Sequence, residues 1–191
     1  MTAEFGEVPD GGSGNNRVAD IVCRDGMRWT AVMTKPRCEK AFVRYCNGHR
    51  VPNYLPLRRR VERYQRRNVT TWLPMFPGYV FVQYDPSRPA ELINSHKVVH
   101  ILDIVPSAEA VLVEELRGLQ RMEELARTEE IKVMPEIVPG EAVRITGGPL
   151  HGIIGIVERR VGSVCVAVNV EILGQSVAIE MDIGDMEVQR D

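Results

Sequence analysis

Residues 72–84 read W-L-P-M-F-P-G-Y-V-F-V-Q-Y, and this stretch decides how the first part of the chain is interpreted. Pro74 and Pro77 exclude a helix here, and Gly78 permits a tight backbone turn. From Tyr79 onward, aromatic and β-branched residues predict a strand whose side chains alternate between two faces. Because both faces are mostly apolar, we expect a central strand that is covered on both sides. An ordinary core strand after a turn explains these residues as well as a binding surface does.

The 191-residue chain is long enough for one large domain or two small ones, and its 44% apolar and 26% charged residues are ordinary for a globular protein. It has no apolar run long enough to cross a bilayer and no recognisable secretory signal, so a cytoplasmic location is expected. None of the cysteines forms a C-x-x-C pair, which predicts reduced thiols rather than zinc ligands. The cysteines are Cys23, Cys38, Cys46 and Cys165.

Charge is distributed unevenly along the chain. Residues 29–100 carry thirteen basic and four acidic side chains, whereas residues 101–134 carry four and eight, and residues 135–191 carry four and nine. The total charge of −2 conceals this asymmetry. The pattern predicts that the first part faces a polyanion and that the later part meets a different partner.

Alternation and helical periodicity predict an α+β domain over residues 28–126, with a four-stranded, mostly antiparallel sheet and helices on it. Thr34 is expected to cap the first helix and Ser107 the last one. The glycine- and asparagine-rich residues before this domain predict a disordered tail over 1–27. The expected strands cover 29–34, 51–57, 98–105 and the stretch that begins at Tyr79, with a short helical segment at 90–94.

Six arginines stand within ten positions before the central strand. We expect a basic finger, a hairpin that projects from the sheet, because arginine pairs well with phosphate oxygens. A solvated hairpin tip is the alternative. The arginines are Arg58, Arg59, Arg60, Arg63, Arg66 and Arg67.

Residues 127–138 are charged and then marked by prolines, which predicts a linker to a second domain at 139–191. Five short stretches of this second domain show strand character, and the region has no helical pattern. They predict a small five-stranded SH3-like β-barrel, in which closure removes exposed strand edges. The five predicted strands cover residues 141–146, 153–158, 164–170, 175–180 and 185–188.

No catalytic constellation is apparent in the sequence. The histidines His49, His96, His100 and His151 stand apart, and the chain has neither a G-x-S-x-G motif nor a P-loop. We therefore expect a non-enzymatic protein that needs no cofactor and no metal.

P-M-F-P-G-Y-V-F-V resembles the signature of the amino-terminal (NGN) domain of NusG-type transcription elongation factors, and especially of their RfaH-like antiterminator paralogues. Residues 140–157, G-E-A-V-R-I-T-G-G-P-L-H-G-I-I-G-I-V, resemble the KOW motif of the same family. The motif glycines suit tight turns and close strand packing. They are Gly140, Gly147, Gly148, Gly152 and Gly155.

The resemblance implies an NGN domain that binds the clamp helices of the RNA polymerase β′ subunit and suppresses pausing or termination. The polymerase-binding residues would be Trp29, Phe76, Pro77, Tyr79 and Phe81. Upstream or non-template DNA would lie against the basic finger and against Lys35, Arg37, Arg44 and Lys97.

The resemblance also implies a KOW domain that recruits a further partner, either a small-subunit ribosomal protein or Rho. The protein would be a monomer without a membrane partner, and it would associate with the bacterial nucleoid through polymerase. The alternative is a ribosome- or translation-associated KOW protein that binds RNA. The excess of acidic residues in 135–191 argues against RNA binding by the barrel.

Overall fold

The computed structural model describes residues 21–64, 67–125, 132–135, 142–145, 151–160, 163–181 and 188–190. The first part of the chain forms β1 (Arg28–Thr34), α1 (Glu39–Gly48), β2 (Asn53–Tyr54), β3 (Leu57–Tyr64), β4 (Arg67–Pro74), β5 (Tyr79–Tyr84), α2 (Ala90–Ile93), β6 (Val98–Ile101) and α3 (Pro106–Leu125). The second part forms β7 (Lys132–Pro135), β8 (Ala142–Ile145), β9 (Ile154–Arg160), β10 (Ser163–Val170), a 3₁₀ turn (Glu171–Leu173), β11 (Gln175–Met181) and β12 (Val188–Arg190).

The first sheet has the strand order β2-β5-β1-β6, and every pairing in it is antiparallel. Strand β5 is therefore central, as the sequence predicts. Its alternation also follows the prediction, because Val80 and Val82 pack in one cluster with Phe42 of α1. Phe81 lies in the other cluster, together with Leu116 of α3. Helices α1 and α3 thus cover opposite faces of the sheet, which confirms the predicted α+β class.

The helix starts differ from the sequence predictions. Thr34 ends β1, and its hydroxyl donates a hydrogen bond to the Gly78 carbonyl oxygen at 3.3 Å, so it does not cap α1. Helix α1 begins five residues later, at Glu39. Helix α3 begins at Pro106, which places Ser107 inside its first turn. Proline suits this first position because its fixed φ is already helical and the missing N–H would have no helical partner.

Two predicted strands are shorter than expected. Within 51–57 only β2 pairs with β5, because the prolines that flank this short strand cannot donate ladder hydrogen bonds. Within 98–105 the pairing with β1 ends at Ile101, and a register shift interrupts it between Met33 and Thr34.

Strands β3 and β4 form a two-stranded antiparallel sheet of their own, which we call the arginine ribbon. The register runs from Leu57 opposite Pro74 to Tyr64 opposite Arg67. The predicted hairpin is therefore present.

The second sheet has the order β12-β8-β9-β10-β11-β7. Four of its strands match the predicted strands, and β12 overlaps the fifth predicted strand at Val188 alone. The prediction of a linker over 127–138 is wrong at Lys132–Pro135, which forms β7 and pairs with β11. The prolines in this region suggested a loop. However, β7 is an edge strand, and an edge strand tolerates a proline such as Pro135 at its end.

The prediction of a disordered tail over 1–27 is wrong for its last part. Ile21 is 3% exposed and lies in the larger core cluster, the one that contains Phe81 and Leu116. The Val22 carbonyl oxygen accepts hydrogen bonds from Trp29 Nε1 at 3.1 Å and from Gln83 Nε2 at 2.8 Å. These long-range contacts, which no local pattern encodes, hold this segment on the sheet. Residues 1–20 lie outside the described residues.

Candidate functional site

The aromatic residues assigned to partner binding are mostly core residues. Phe76 is 1% exposed and Phe81 is 0% exposed, with their rings edge to face at a centroid distance of 6.2 Å. Tyr54 lies 6.4 Å from Phe81 on the same side of the sheet. Neither phenylalanine is therefore accessible to a partner from the surface. Helix α3 supplies apolar residues to the same cluster, and burial against this helix was not visible in the local sequence.

Trp29 is also buried, and its role is visible in its hydrogen bonds. The indole donates to the Val22 carbonyl oxygen, and the Trp29 backbone N–H donates to Glu109 Oε1 at 3.0 Å. Trp29 therefore joins the incoming chain, β1 and α3. It stabilises the sheet from within rather than lining an open groove.

The accessible part of the predicted aromatic site is the turn that precedes β5. Pro77 is exposed and Tyr79 is half-buried, with the tyrosine packed against the larger core cluster. Gly78 lies between them with φ +87°, a conformation that glycine adopts without strain. We call residues 75–78 the Pro77 turn. The turn presents the exposed Pro77, and the half-buried Tyr79 follows it at the start of β5.

Hydrogen bonds attach the Pro77 turn to the Glu39 side chain at the start of α1 and to Thr34 at the end of β1. The Gly78 N–H donates to Glu39 Oε1 at 2.7 Å, and the Gly78 carbonyl oxygen accepts from the Thr34 N–H at 2.8 Å. The Tyr79 N–H donates to the Phe76 carbonyl oxygen at 3.1 Å, which closes the turn. The turn is therefore a fixed feature of the surface.

The fold brings together the two lysines that were predicted to contact DNA. The Lys35 N–H donates to the Lys97 carbonyl oxygen at 2.8 Å, although the two residues are far apart in sequence. Lys35 and Arg37 are exposed, and Arg37 has φ +62°. Arg44 is exposed on α1. We call 35–37 the basic loop.

The arginine ribbon carries positive charge on both of its faces. Arg59 and Arg60 are exposed neighbours in β3, and successive strand residues point to opposite sides. Arg58 is half-buried, and its Nε is buried without a hydrogen-bond partner. Arg63 and Arg67 lie in the register of the ribbon, whereas Arg66 lies outside the described residues.

The ribbon is joined to the helix next to the basic loop. Lys40 Nζ of α1 donates a hydrogen bond to the Trp72 carbonyl oxygen of β4 at 3.1 Å. The Met75 N–H donates to the Pro56 carbonyl oxygen at 2.8 Å, which ties the base of the ribbon to the Pro77 turn. The turn, the basic loop and the ribbon are therefore linked through α1 and its neighbours.

In the second sheet, two of the motif glycines have a visible steric role. Gly152 has φ +82°, and a Cβ at Gly155 would lie 2.7 Å from the Ala167 carbonyl oxygen of β10. Both observations fit the expected tight turn and close strand approach. Gly140, Gly147 and Gly148 lie outside the described residues.

Sequence reasoning missed the contact between α3 and the second sheet. A Cβ at Gly118 would lie 3.2 Å from Val168 Cγ1, and one at Gly152 would lie 3.0 Å from Arg121 Nη1. The Glu171 N–H donates to Glu115 Oε1 at 3.0 Å. A groove of about 640 Å³ runs along this contact. The available signal was Gly118 itself, because a glycine inside a helix costs stability unless close packing requires it.

The described residues also bear on metal sites, reactive thiols and membrane spans. No group of histidine, cysteine or acidic residues there could hold a metal ion. Cys23, Cys38 and Cys46 are free thiols, and burial raises the pKa of Cys46 to about 12. Among the described residues, no helix combines the length and apolarity needed to cross a bilayer.

The fold defines a protein with an α+β sheet unit that is followed by a small all-β unit. A family model described as "Transcription termination factor nusG" matches residues 27–134. The chain belongs to the NusG family of transcription factors. The match covers the α+β unit and ends within β7, at residue 134.

One solved structure that resembles the chain is described as "Domain interaction in Thermotoga maritima NusG". It has 19% sequence identity and a TM-score of 0.45, and the alignment covers 84% of this chain and 96% of that chain. The comparison with curated protein sequences finds no match.

Proposed function

We propose that this protein is a non-enzymatic elongation or antitermination factor that binds the β′ clamp helices of RNA polymerase through its α+β unit. Family membership over residues 27–134 supports the choice of polymerase as partner. The observation that carries the proposal is the fixed Pro77 turn, which lies at the base of the arginine ribbon. The proposed protein contact and the proposed polyanion contact thus lie on neighbouring segments of the same unit.

The polymerase-binding region comprises Trp29, Phe76, Pro77, Tyr79 and Phe81. The accessible residues of this set and its buried residues have different roles. Pro77 and Tyr79 touch the partner helices, because they are the accessible members of the set. The three buried members support the turn from below. A rigid aromatic edge is an effective anchor, because little conformational entropy is lost when it is buried by a partner.

Upstream or non-template DNA lies against the basic loop and the arginine ribbon. Exposed lysine and arginine side chains neutralise phosphates and release counterions, which makes binding depend on salt. Such contacts position the nucleic acid and carry little base information. The contacting residues are Lys35, Arg37, Arg44, Arg58, Arg59, Arg60, Arg63, Arg66, Arg67 and Lys97.

The second sheet is a KOW domain that recruits a small-subunit ribosomal protein or Rho. Its steric use of Gly152 and Gly155 supports this assignment. The P-M-F-P-G-Y-V-F-V motif favours a specialised, RfaH-like paralogue over a housekeeping factor. The protein acts as a monomer in the bacterial cytoplasm, where it associates with the nucleoid through polymerase.

Tyr79→Ala tests the protein contact. We expect a loss of roughly 2 kcal/mol in affinity for core polymerase, which is about 30-fold in Kd, if Tyr79 is an interface anchor. Tyr84→Ala is the matched control, since Tyr84 is a half-buried tyrosine at the other end of the same strand. Affinity is measured by titration with core polymerase, and thermal unfolding is recorded in parallel. Equal affinity of folded Tyr79→Ala and wild type would refute the site.

A double substitution, Arg59→Glu with Arg60→Glu, tests the polyanion contact. We expect weaker suppression of pausing and a flatter salt dependence on elongation complexes, with binding to nucleic-acid-free polymerase hardly changed. The control is Arg24→Glu with Arg88→Glu, which reverses the same number of exposed charges elsewhere. Equal losses on both polymerase forms would show that the ribbon touches protein, and no loss on either would leave it a solvated hairpin.

A further inference from the structure

Glu39 is a carboxylate that is almost withdrawn from solvent, at 8% exposure. It is the first residue of α1, where the unpaired backbone N–H groups of the helix favour negative charge. Burial of a carboxylate is costly unless hydrogen bonds replace its hydration. Its Oε1 accepts a hydrogen bond of 2.7 Å from the Gly78 N–H, 39 residues further along the chain. The side chain therefore turns from its own helix to the Pro77 turn.

The Gly78 residue is held on both sides. Glu39 takes its N–H, while its carbonyl oxygen accepts from the Thr34 N–H at 2.8 Å and from the Thr34 hydroxyl at 3.3 Å. Its φ of +87° lies in a region that glycine adopts about as readily as negative φ, so the residue itself does not fix this conformation. A Cβ at Gly78 would meet no atom within 4 Å, so no neighbour packs closely against that side of the residue. The hydrogen bonds at its N–H and carbonyl oxygen are the contacts that define its position.

The same contacts reach the basic loop. Thr34 is followed at once by Lys35, whose N–H donates to the Lys97 carbonyl oxygen at 2.8 Å. The Cys38 N–H donates to the Lys35 carbonyl oxygen at 3.0 Å, and Glu39 is the next residue. The Pro77 turn and the basic loop therefore meet at one junction, which consists of Thr34, Glu39 and Gly78.

We propose that Glu39 is a positioning residue that acts through the Gly78 N–H and sets the Pro77 turn relative to the basic loop. It touches neither polymerase nor DNA. Its carboxylate oxygen fixes the direction in which Pro77 and Tyr79 are presented, while the basic loop is held at the same junction. This inference rests on the proposed polymerase contact, which it deepens by naming the residue that organises the contact surface.

Two substitutions separate hydrogen-bond acceptance from charge. Glu39→Gln keeps an oxygen that can accept from the Gly78 N–H, whereas Glu39→Ala removes it. The matched control is Glu109→Ala, which deletes another carboxylate bond to a backbone N–H, that of Trp29 near the opposite end of β1. Amide hydrogen exchange of Gly78 and titration with core polymerase are measured on the full chain, at a temperature where all variants are folded.

For Glu39→Ala we expect Gly78 exchange to become faster and polymerase affinity to fall, each by about tenfold or more, which is the effect of losing a hydrogen bond to a charged group. Glu39→Gln should stay within about threefold of wild type for both measurements. Glu109→Ala should leave Gly78 exchange unchanged, because Glu109 makes no hydrogen bond to the Pro77 turn.

Three results would overturn the proposal: wild-type affinity in Glu39→Ala, unchanged Gly78 exchange in Glu39→Ala, or equally accelerated Gly78 exchange in Glu109→Ala. Loss of binding in Glu39→Gln equal to that in Glu39→Ala would also count against it, because acceptance would then not be the cause. If the unaltered protein does not bind polymerase, the proposed function is wrong, and the Gly78 exchange rates still decide whether Glu39 holds the turn.

Discussion

Truncation of Phe81 should damage the fold before it reports on any partner. Phe81 is 0% exposed, its ring meets that of Phe76 edge to face, and the centroid of the Tyr54 ring lies 6.4 Å from its own. Removal of a fully buried phenylalanine ring costs about 3–5 kcal/mol, because both the transfer free energy and the contacts around the cavity are lost. Since a whole domain is stable by only about 5–15 kcal/mol, Phe81→Ala should remove a large share of the free energy of unfolding.

Urea unfolding followed by tryptophan fluorescence measures this loss. The chain has 2 tryptophans, and both lie in the α+β unit, Trp29 in β1 and Trp72 in β4. Tyr79→Ala is the comparison, because Tyr79 lies on the same face of β5 but is half-buried. A cost below about 1 kcal/mol for Phe81→Ala, or one equal to that of Tyr79→Ala, would refute the division into buried support and accessible edge.

Three further predictions concern stability and reactivity. Gly155→Ala should destabilise the second sheet by about 1–3 kcal/mol in thermal unfolding, because its Cβ would lie 2.7 Å from the Ala167 carbonyl oxygen; Gly174→Ala, which meets no atom within 4 Å but has φ +58°, compares strain without a clash. Burial, and then Glu123, raise the pKa of Tyr54 well above 10.0. The neutral hydroxyl therefore contributes fully to the free energy of unfolding below that pH, and this contribution is lost as pH rises through the folded pKa. In urea titrations, the stability of Tyr54→Phe should fall less steeply at alkaline pH than that of wild type. At pH 8, iodoacetamide should modify exposed Cys23 before Cys46, whose pKa is about 12, as mass spectrometry would show.

Local sequence determined much of the secondary structure. Strand β5 and its two apolar faces follow from aromatic and β-branched residues after a turn, and four strands of the second sheet follow from short stretches of strand character between turn residues. The hairpin was expected from the six clustered arginines. The steric roles of Gly152 and Gly155 were also predictable, because a positive φ and a close strand approach each demand glycine. The strands depend on neighbours within a few residues, which a sequence pattern records directly.

The tertiary structure alone decided which predicted site residues are accessible. Phe76 and Tyr79 carry similar local signals, but the apolar cluster shared with α3 buries the first and leaves the second at its edge. The meeting of Lys35 with Lys97, and of Glu39 with Gly78, joins residues tens of positions apart. The packing of Gly118 against Val168 is of the same kind. Alternation and helical periodicity say which face of an element is apolar, but they do not say which distant element covers that face, so the geometry of the candidate site appears only when the chain is folded.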